Sequence, residues 1–270
     1  MNVEVKPVAA GGTLLAVPPE IARIGVIGAG QMGNGIAHVC ALSGLAVTML
    51  DAKADALSRA MATITRNMDR QVNRSLISAE DKDDALARIS ISSDYAAFAD
   101  ADLVIESATE KEDVKHAIFK ALTPHLKPAC LLASNTSSIS ITRLGAATDR
   151  AEKFIGMHFM NPVPVMNLLE IIRGIATDEP TFQAALALAG KLHKTAAVAE
   201  DFHAFIVNRI LVPMINEAVY ALYEGVGSVA GIDTSMRLGA NHPMGPLELA
   251  DLSARKRPAS MPGCRWASAC

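Results

Sequence analysis

Along the first two hundred residues, short apolar runs alternate with longer stretches in which apolar positions recur at helical spacing. Residues 24–27 are apolar except for Gly25, and residues 31–43 then place Met32, Ile36, Val39 and Cys40 on one helical stripe before Gly44, a common stop signal. Residues 46–50 predict a second strand. A long helix over 54–74 and a shorter one over 79–88 precede a short strand through Ile89 and Ile91. Two buried-strand runs, 102–108 and 130–133, flank a helix through Ile118, Phe119 and Leu122. Residues 153–160 and 166–172 are again strand-like, and Pro162 and Pro164 exclude helix from the turn between them. A helix over 179–192 and a last strand over 195–199 complete the series.

Strands alternating with helices through short connections predict an α/β fold, a doubly wound Rossmann-type sheet spanning residues 21–200. The pattern then changes. Residues 205–223 are apolar around most of a helical circumference, which predicts a helix buried on nearly every side and the start of a second, all-helical domain over 201–252. Short helices over 232–238 and 247–252 belong to it. Residues 1–20 are expected to be a disordered lead-in: their brief apolar patch is cut by Pro18 and Pro19 and lacks the basic start of a secretory signal. Residues 253–270 are basic, contain no acid, and hold the only tryptophan. With no sustained apolar period, they read as an aberrant tail, as though another reading frame were translated, and the helical domain before them as incomplete.

Composition narrows the function. Half of the 270 residues are hydrophobic, enough for a sizeable core, and the net charge of -3 gives no general attraction for nucleic acid or anionic membrane. No apolar run reaches the roughly 18 to 20 residues needed to cross a bilayer. Cys40, Cys130, Cys264 and Cys270 are dispersed without metal-ligand spacing. This argues against a zinc site or disulfide framework and for a reducing, cytoplasmic setting.

The candidate chemistry begins at Gly28-Ala29-Gly30-Gln31-Met32-Gly33, between the first strand and the first helix. Three glycines at this spacing allow a tight turn, close approach of a pyrophosphate, and close helix packing. Asp51 ends the second strand, near the position at which a carboxylate meets a ribose 2′-hydroxyl, so NAD is expected over NADP. Residues 106–110 and 135–138 fall at other carboxyl ends of the sheet, where such folds bind ligands. Oxidation of an alcohol by hydride transfer needs a base of near-neutral pKa. His158 ends a strand at that edge, and Glu170 lies on the strand returning across the proline turn, so the two form a candidate dyad. Ser137 is open to two readings, a helix cap or a hydroxyl that holds a reacting oxygen. Asn208 is an amide within an apolar helix and needs partners, of which a substrate carbonyl is one. Arg66, Arg70 and Arg74 share a helix face, either as a solvated stripe or as a landing place for an anionic substrate handle.

Beyond the glycine loop, the stretches Ala133-Ser134-Asn135-Thr136-Ser137-Ser138, Gly156-Met157-His158-Phe159-Met160-Asn161-Pro162, Phe205-Ile206-Val207-Asn208-Arg209 and Asn241-His242-Pro243-Met244-Gly245-Pro246-Leu247 resemble the L-3-hydroxyacyl-CoA dehydrogenases, most closely their bacterial 3-hydroxybutyryl-CoA branch. The resemblance runs from about residue 21 to Leu252. It implies NAD-dependent oxidation of an L-3-hydroxyacyl-CoA to the 3-ketoacyl-CoA, or the reverse, within fatty-acid or butanoate metabolism. It implies that His158 is the general base, Glu170 its partner, and Ser137 and Asn208 the holders of substrate oxygens. The cofactor contacts implied are Gly28, Gly30, Gln31, Met32, Gly33, Asp51, Glu110, Lys115, Ser137 and Asn161; Asn67 and Arg74 are implied contacts of coenzyme A, and no metal is implied.

Two departures from the family stand out. His203-Ala204 replaces a usual Pro-Gly, which predicts an altered turn ahead of Asn208. After Leu252 the family's further helices, which complete the small domain, its homodimer contact and a late lysine near the cofactor, are replaced by the basic tail. Two other readings follow: an NAD-binding product with little or no catalysis, and a dehydrogenase of a free 3-hydroxy acid or sugar acid.

Overall fold

The computed structural model describes residues 19–255, with side chains as far as Leu252. They divide into two compact units, one reaching Phe205 and the other starting at Ile206. The boundary falls a few residues beyond the expected one at Glu200.

The first unit contains β1 (Arg23–Ile27), α1 (Gln31–Leu42), β2 (Ala46–Leu50), α2 (Ala54–Asn73), α3 (Ala79–Ala87), β3 (Ile89–Ser92), β4 (Leu103–Glu106), α4 (Glu112–Leu122), β5 (Leu131–Ser134), α5 (Ile141–Ala146), β6 (Phe154–Phe159), β7 (Leu168–Arg173), α6 (Glu179–Lys191) and β8 (Thr195–Glu200). All eight strands form one sheet in the order β3-β2-β1-β4-β5-β6-β7-β8. Every neighbouring pair is parallel except β6 and β7, which the short proline turn forces to run antiparallel. The order reverses between β1 and β4, where a doubly wound sheet opens its ligand crevice.

Alternation along each strand divides the core. Ile24, Val26, Leu103 and Ile105 join α1, α2, α3 and α6 on one face through Ile36, Ile64, Met68, Ala85 and Leu188. Ile27, Val104 and Leu132 join α4 and α5 on the other face through Phe119, Leu122, Ile141 and Leu144. Covering both faces explains why the strands read as continuous apolar runs. α5 has no strong apolar period. It starts because Ser140 caps the backbone N–H of Arg143 and Asp201 accepts from Ser140 Oγ and the N–H groups of Ile141 and Thr142 at 2.8–2.9 Å.

The second unit contains α7 (Val207–Tyr223), α8 (Val229–Gly239) and α9 (Pro246–Arg255). Asp233 of α8 is 6 % exposed and accepts the N–H groups of Leu247 and Glu248, anchoring the start of α9. A Cβ at Gly245 would stand 2.3 Å from Asp233, so the Met244-Gly245-Pro246 motif allows this close approach. The expectation that residues 205–223 form a helix buried on nearly every side is overturned. Phe205 is buried in the first unit, and within α7 only Ala218 is buried, while Ile210, Val212 and Tyr223 are 65 %, 59 % and 86 % exposed. Hydrophobicity around a helix measures how much apolar surface would gain from cover; the described residues of this unit supply little of it.

Among the described residues, no helix is long and apolar enough to cross a membrane. The expected lead-in (residues 1–20) lies outside the described residues up to position 18. The expected tail lies outside them from position 256, and α9 continues three residues past its predicted end at Leu252.

Candidate active site

The site is built from the carboxyl ends of the strands. At the end of β1, Gly28 adopts φ +98°, and a Cβ there would lie 2.7 Å from both Ala108 Cα and the Ser107 carbonyl oxygen. A Cβ at Gly33 would stand 1.7 Å from the Gly28 carbonyl oxygen, whereas one at Gly30 would meet nothing within 4 Å. Two glycines are thus required by the protein itself, and the third keeps a space open. Gly30 caps α1 without a side-chain hydrogen bond and no acid stands in the first turn, so the helix start offers backbone N–H groups to an anion. Asp51 Oδ2 accepts from Ala29 N–H at 2.9 Å and Oδ1 from Lys53 N–H at 3.0 Å, which fixes a carboxylate beside the loop.

Ala29, Gly30, Asp51 and Lys53 line a cleft of about 710 Å³ that also includes Gln31, Asn67, Ala108, Asn161, Pro162 and Val163. Gln31 Nε2 donates to Asn161 Oδ1 at 2.9 Å, tying the glycine loop to the proline turn. Open glycine space, an uncapped helix start and a carboxylate at the end of β2 fit a dinucleotide with an unphosphorylated ribose.

Beyond β4 and β5, Glu110 organises the neighbouring segment. Its Oε1 accepts from Thr136 Oγ1 and Ser137 N–H at 2.7 Å, Ser137 Oγ at 2.9 Å and Ser138 Oγ at 3.2 Å. Burial alone would raise the Glu110 carboxyl, but the bonds from Thr136 and Ser137 and the Lys115 ammonium outweigh it, and its pKa lies below the ordinary value. Lys115 is 1 % exposed and donates to Glu106 Oε2 at 2.5 Å, with Glu110 3.8 Å away. The family resemblance implies Lys115 as a cofactor contact; its ammonium lies beneath the surface, between two carboxylates. Glu106 also accepts from Ser134 Oγ at 2.8 Å. A carboxylate at the end of a fully apolar strand was the available signal for this buried cluster. Of the two readings of Ser137, the cap is excluded: the residue bonds Glu110, and Ser140 caps α5.

His158 and Glu170 are directly opposed in the β6–β7 ladder. His158 Nδ1 and Glu170 Oε2 are 2.7 Å apart, with the residues 7 % and 0 % exposed. The Phe205 ring lies 5.7 Å from the imidazole, centroid to centroid. Asn135 Oδ1 accepts from Phe159 N–H at 2.8 Å, bringing the segment after β5 to the end of β6, so residues 135–138 and His158 belong to one edge. A carboxylate on Nδ1 holds the proton on that nitrogen and leaves the Nε2 lone pair to act as a base.

Other expected residues fall elsewhere. Asn67 lines the cleft from α2; Arg74, the C-cap of α2, is exposed and outside that lining, as are Arg66 and Arg70. Asn208 lies in the first turn of α7 in the second unit and is half-buried, not buried as its apolar helix predicted. At the departure His203-Ala204, Ala204 adopts φ +67° and Phe205 φ +53°, left-handed conformations that a glycine takes without steric cost.

Comparison with known proteins gives the same family for both units of the chain. The family model described as 3-hydroxyacyl-CoA dehydrogenase, NAD binding domain, matches residues 23–202, and that described as the C-terminal domain matches 205–258. The chain is 62 % identical over 231 residues to a 3-hydroxybutyryl-CoA dehydrogenase of Bradyrhizobium diazoefficiens, covering 86 % of this chain and 79 % of that one. It is 47 % identical to a probable 3-hydroxybutyryl-CoA dehydrogenase of Bacillus subtilis, covering 86 % and 81 %. The crystal structure of (S)-3-hydroxybutyryl-CoA dehydrogenase from Ralstonia eutropha superposes with a TM-score of 0.85 at 48 % identity, covering 87 % and 83 %.

Proposed function

The chain belongs to the 3-hydroxyacyl-CoA dehydrogenase family, and from that premise we propose that it interconverts a short-chain L-3-hydroxyacyl-CoA, 3-hydroxybutyryl-CoA in the first instance, and its 3-ketoacyl-CoA, with His158 and Glu170 as the proton-transfer pair. The observation that carries the reading is the 2.7 Å contact between His158 Nδ1 and Glu170 Oε2 at the sheet edge that also presents Ser137 and Asn161.

Bound NAD would supply the acceptor for the hydride that leaves carbon 3 of the hydroxyacyl group. The chain's own residues handle the rest. Nε2 of His158 accepts the hydroxyl proton as the carbonyl forms, and Glu170 stabilises the imidazolium through Nδ1–H. In the reductive direction the same nitrogen returns the proton to the oxygen. Gly28, Gly30, Gly33 and the start of α1 would hold the pyrophosphate and Asp51 the ribose hydroxyls, while Gln31 ties the glycine loop to the proline turn through Asn161. Glu110 orients Ser137, whose hydroxyl, with the Asn208 amide, is assigned to the substrate oxygens. Asn67 and Arg74 are assigned to coenzyme A.

The test is NADH oxidation with acetoacetyl-CoA beside acetoacetate, on protein of verified mass. Turnover with the thioester alone supports the proposal. Turnover with the free acid makes the chain a dehydrogenase of a free 3-hydroxy acid, and tight NADH binding without turnover makes it a binding protein.

A further inference from the structure

Lys194 lies outside the cleft lining, yet its ammonium spans the 161–167 turn that leads from the strand of His158 to that of Glu170. Nζ donates to the carbonyl oxygens of Val163 and Met166, at 2.7 Å each. Among the described residues it has no carboxylate partner within ion-pair distance. Burial lowers its pKa, with Cys40 acting in the opposite direction. A half-buried cation spent on two neutral carbonyls is costly unless holding them matters.

Its placement is built into the chain. After α6, His193 takes φ +54°, its N–H donates to the Gly190 carbonyl, and the Lys194 N–H donates to the Ala189 carbonyl. This pair of bonds is a Schellman stop, with histidine where glycine is usual. Thr195 N–H then donates to the Asn167 carbonyl at 2.7 Å, so the start of β8 lies beside the end of the turn.

The clamped turn, residues 161–167, carries both halves of the site. Asn161 accepts from Gln31 in the first turn of α1, and Val163 packs so closely on α1 that a Cβ at Gly35 would stand 2.9 Å from Val163 Cβ. Its ends lead directly into the strands bearing His158 and Glu170.

We propose that Lys194 is a positioning residue for cofactor binding and hydride transfer: by bridging the Val163 and Met166 carbonyls it sets the 161–167 turn against the start of α1. The proposal rests on the cofactor site described above.

The experiment compares Lys194→Met, Lys194→Arg and Lys153→Met by fluorescence titration with NADH, by KM and kcat with acetoacetyl-CoA, and by thermal melting. Lys153 is a control because its ammonium also holds a carbonyl, that of Pro128, outside the cleft lining. A displaced turn should raise the Kd for NADH in Lys194→Met on the order of 10-fold and lower kcat similarly. Lys194→Arg, which can still bridge two carbonyls, should restore binding to within about 2-fold, and Lys153→Met should bind NADH as the wild type does. Wild-type Kd and KM in Lys194→Met, whatever its melting temperature, overturn the proposal by reducing the lysine to a fold support. If Lys194→Met does not fold, Lys194→Gln replaces it, and binding by that variant equal to Lys194→Arg overturns the proposal. A wild type that binds no NADH overturns the cofactor site and the clamp together; a wild type that binds while Lys194→Met matches it overturns the clamp alone.

Discussion

His158 is held from several directions: Glu170 bonds Nδ1, the Phe205 ring stands beside the imidazole, and Asn135 ties down the next residue's N–H. Replacing it with glutamine removes the proposed base and leaves the glycine loop untouched. We expect His158→Gln to lose roughly 10²- to 10⁴-fold in kcat with the NADH Kd nearly unchanged, as measured by steady-state kinetics and fluorescence titration. Wild-type turnover would dismiss the assignment. Asp201 gives a stability prediction at the same scale. Burial would raise its carboxyl, but hydrogen bonds from Thr142, Ile141 and Ser140 outweigh burial and hold the pKa below the ordinary value. A depressed folded-state pKa stabilises above the unfolded value, near 4, and that contribution fades as pH falls through the lower folded value. Asp201→Ala should therefore cost about 2 kcal/mol at pH 7, and its deficit in melting temperature should shrink below about pH 4. A deficit independent of pH would assign the cost to packing instead.

At the scale of elements, the glycine loop separates what the fold needs from what the ligand needs. A side chain at position 33 collides with the Gly28 carbonyl, while position 30 faces open space. Gly33→Ala should lower the melting temperature and abolish NADH binding together. Gly30→Ala should melt as the wild type does while binding NADH on the order of 10-fold more weakly, because its methyl group occupies the space kept for phosphate. Equal stability losses in both variants would contradict this division. The loop was legible in the sequence because strand, glycines and helix are contiguous and each glycine answers a local steric demand. α5 was not, because it starts on a carboxylate from Asp201, far along the chain, which no local pattern reports. The role of Lys194 was not legible for a similar reason: its partners are backbone carbonyls, and those carry no sequence signature.

For the molecule as a whole, both hydrophobic clusters lie in the first unit, which packs helices on each face of an eight-stranded sheet. Among the described residues of the second unit, by contrast, the interior is sparse: Ala218, Asp233 and the Gly245-Pro246 corner. Local opening follows buried apolar contact, so amides of α7, α8 and α9 should exchange with deuterium well before those of β1, β4 and β5. Hydrogen-exchange mass spectrometry checks this, and uniform protection across both units would refute it. What the sequence determined alone were features whose causes are local: strand and helix periods, the glycine loop, the proline turn, and the motifs that carry the family. What tertiary structure decided were features whose partners come from distant segments. It set the antiparallel register that opposes His158 to Glu170, buried Lys115 between Glu106 and Glu110, decided against the cap among the two readings of Ser137, and left α7 largely uncovered. The physical reason is reach: a period or turn is written within a few residues, whereas a hydrogen bond or a burial depends on what the folded chain brings alongside.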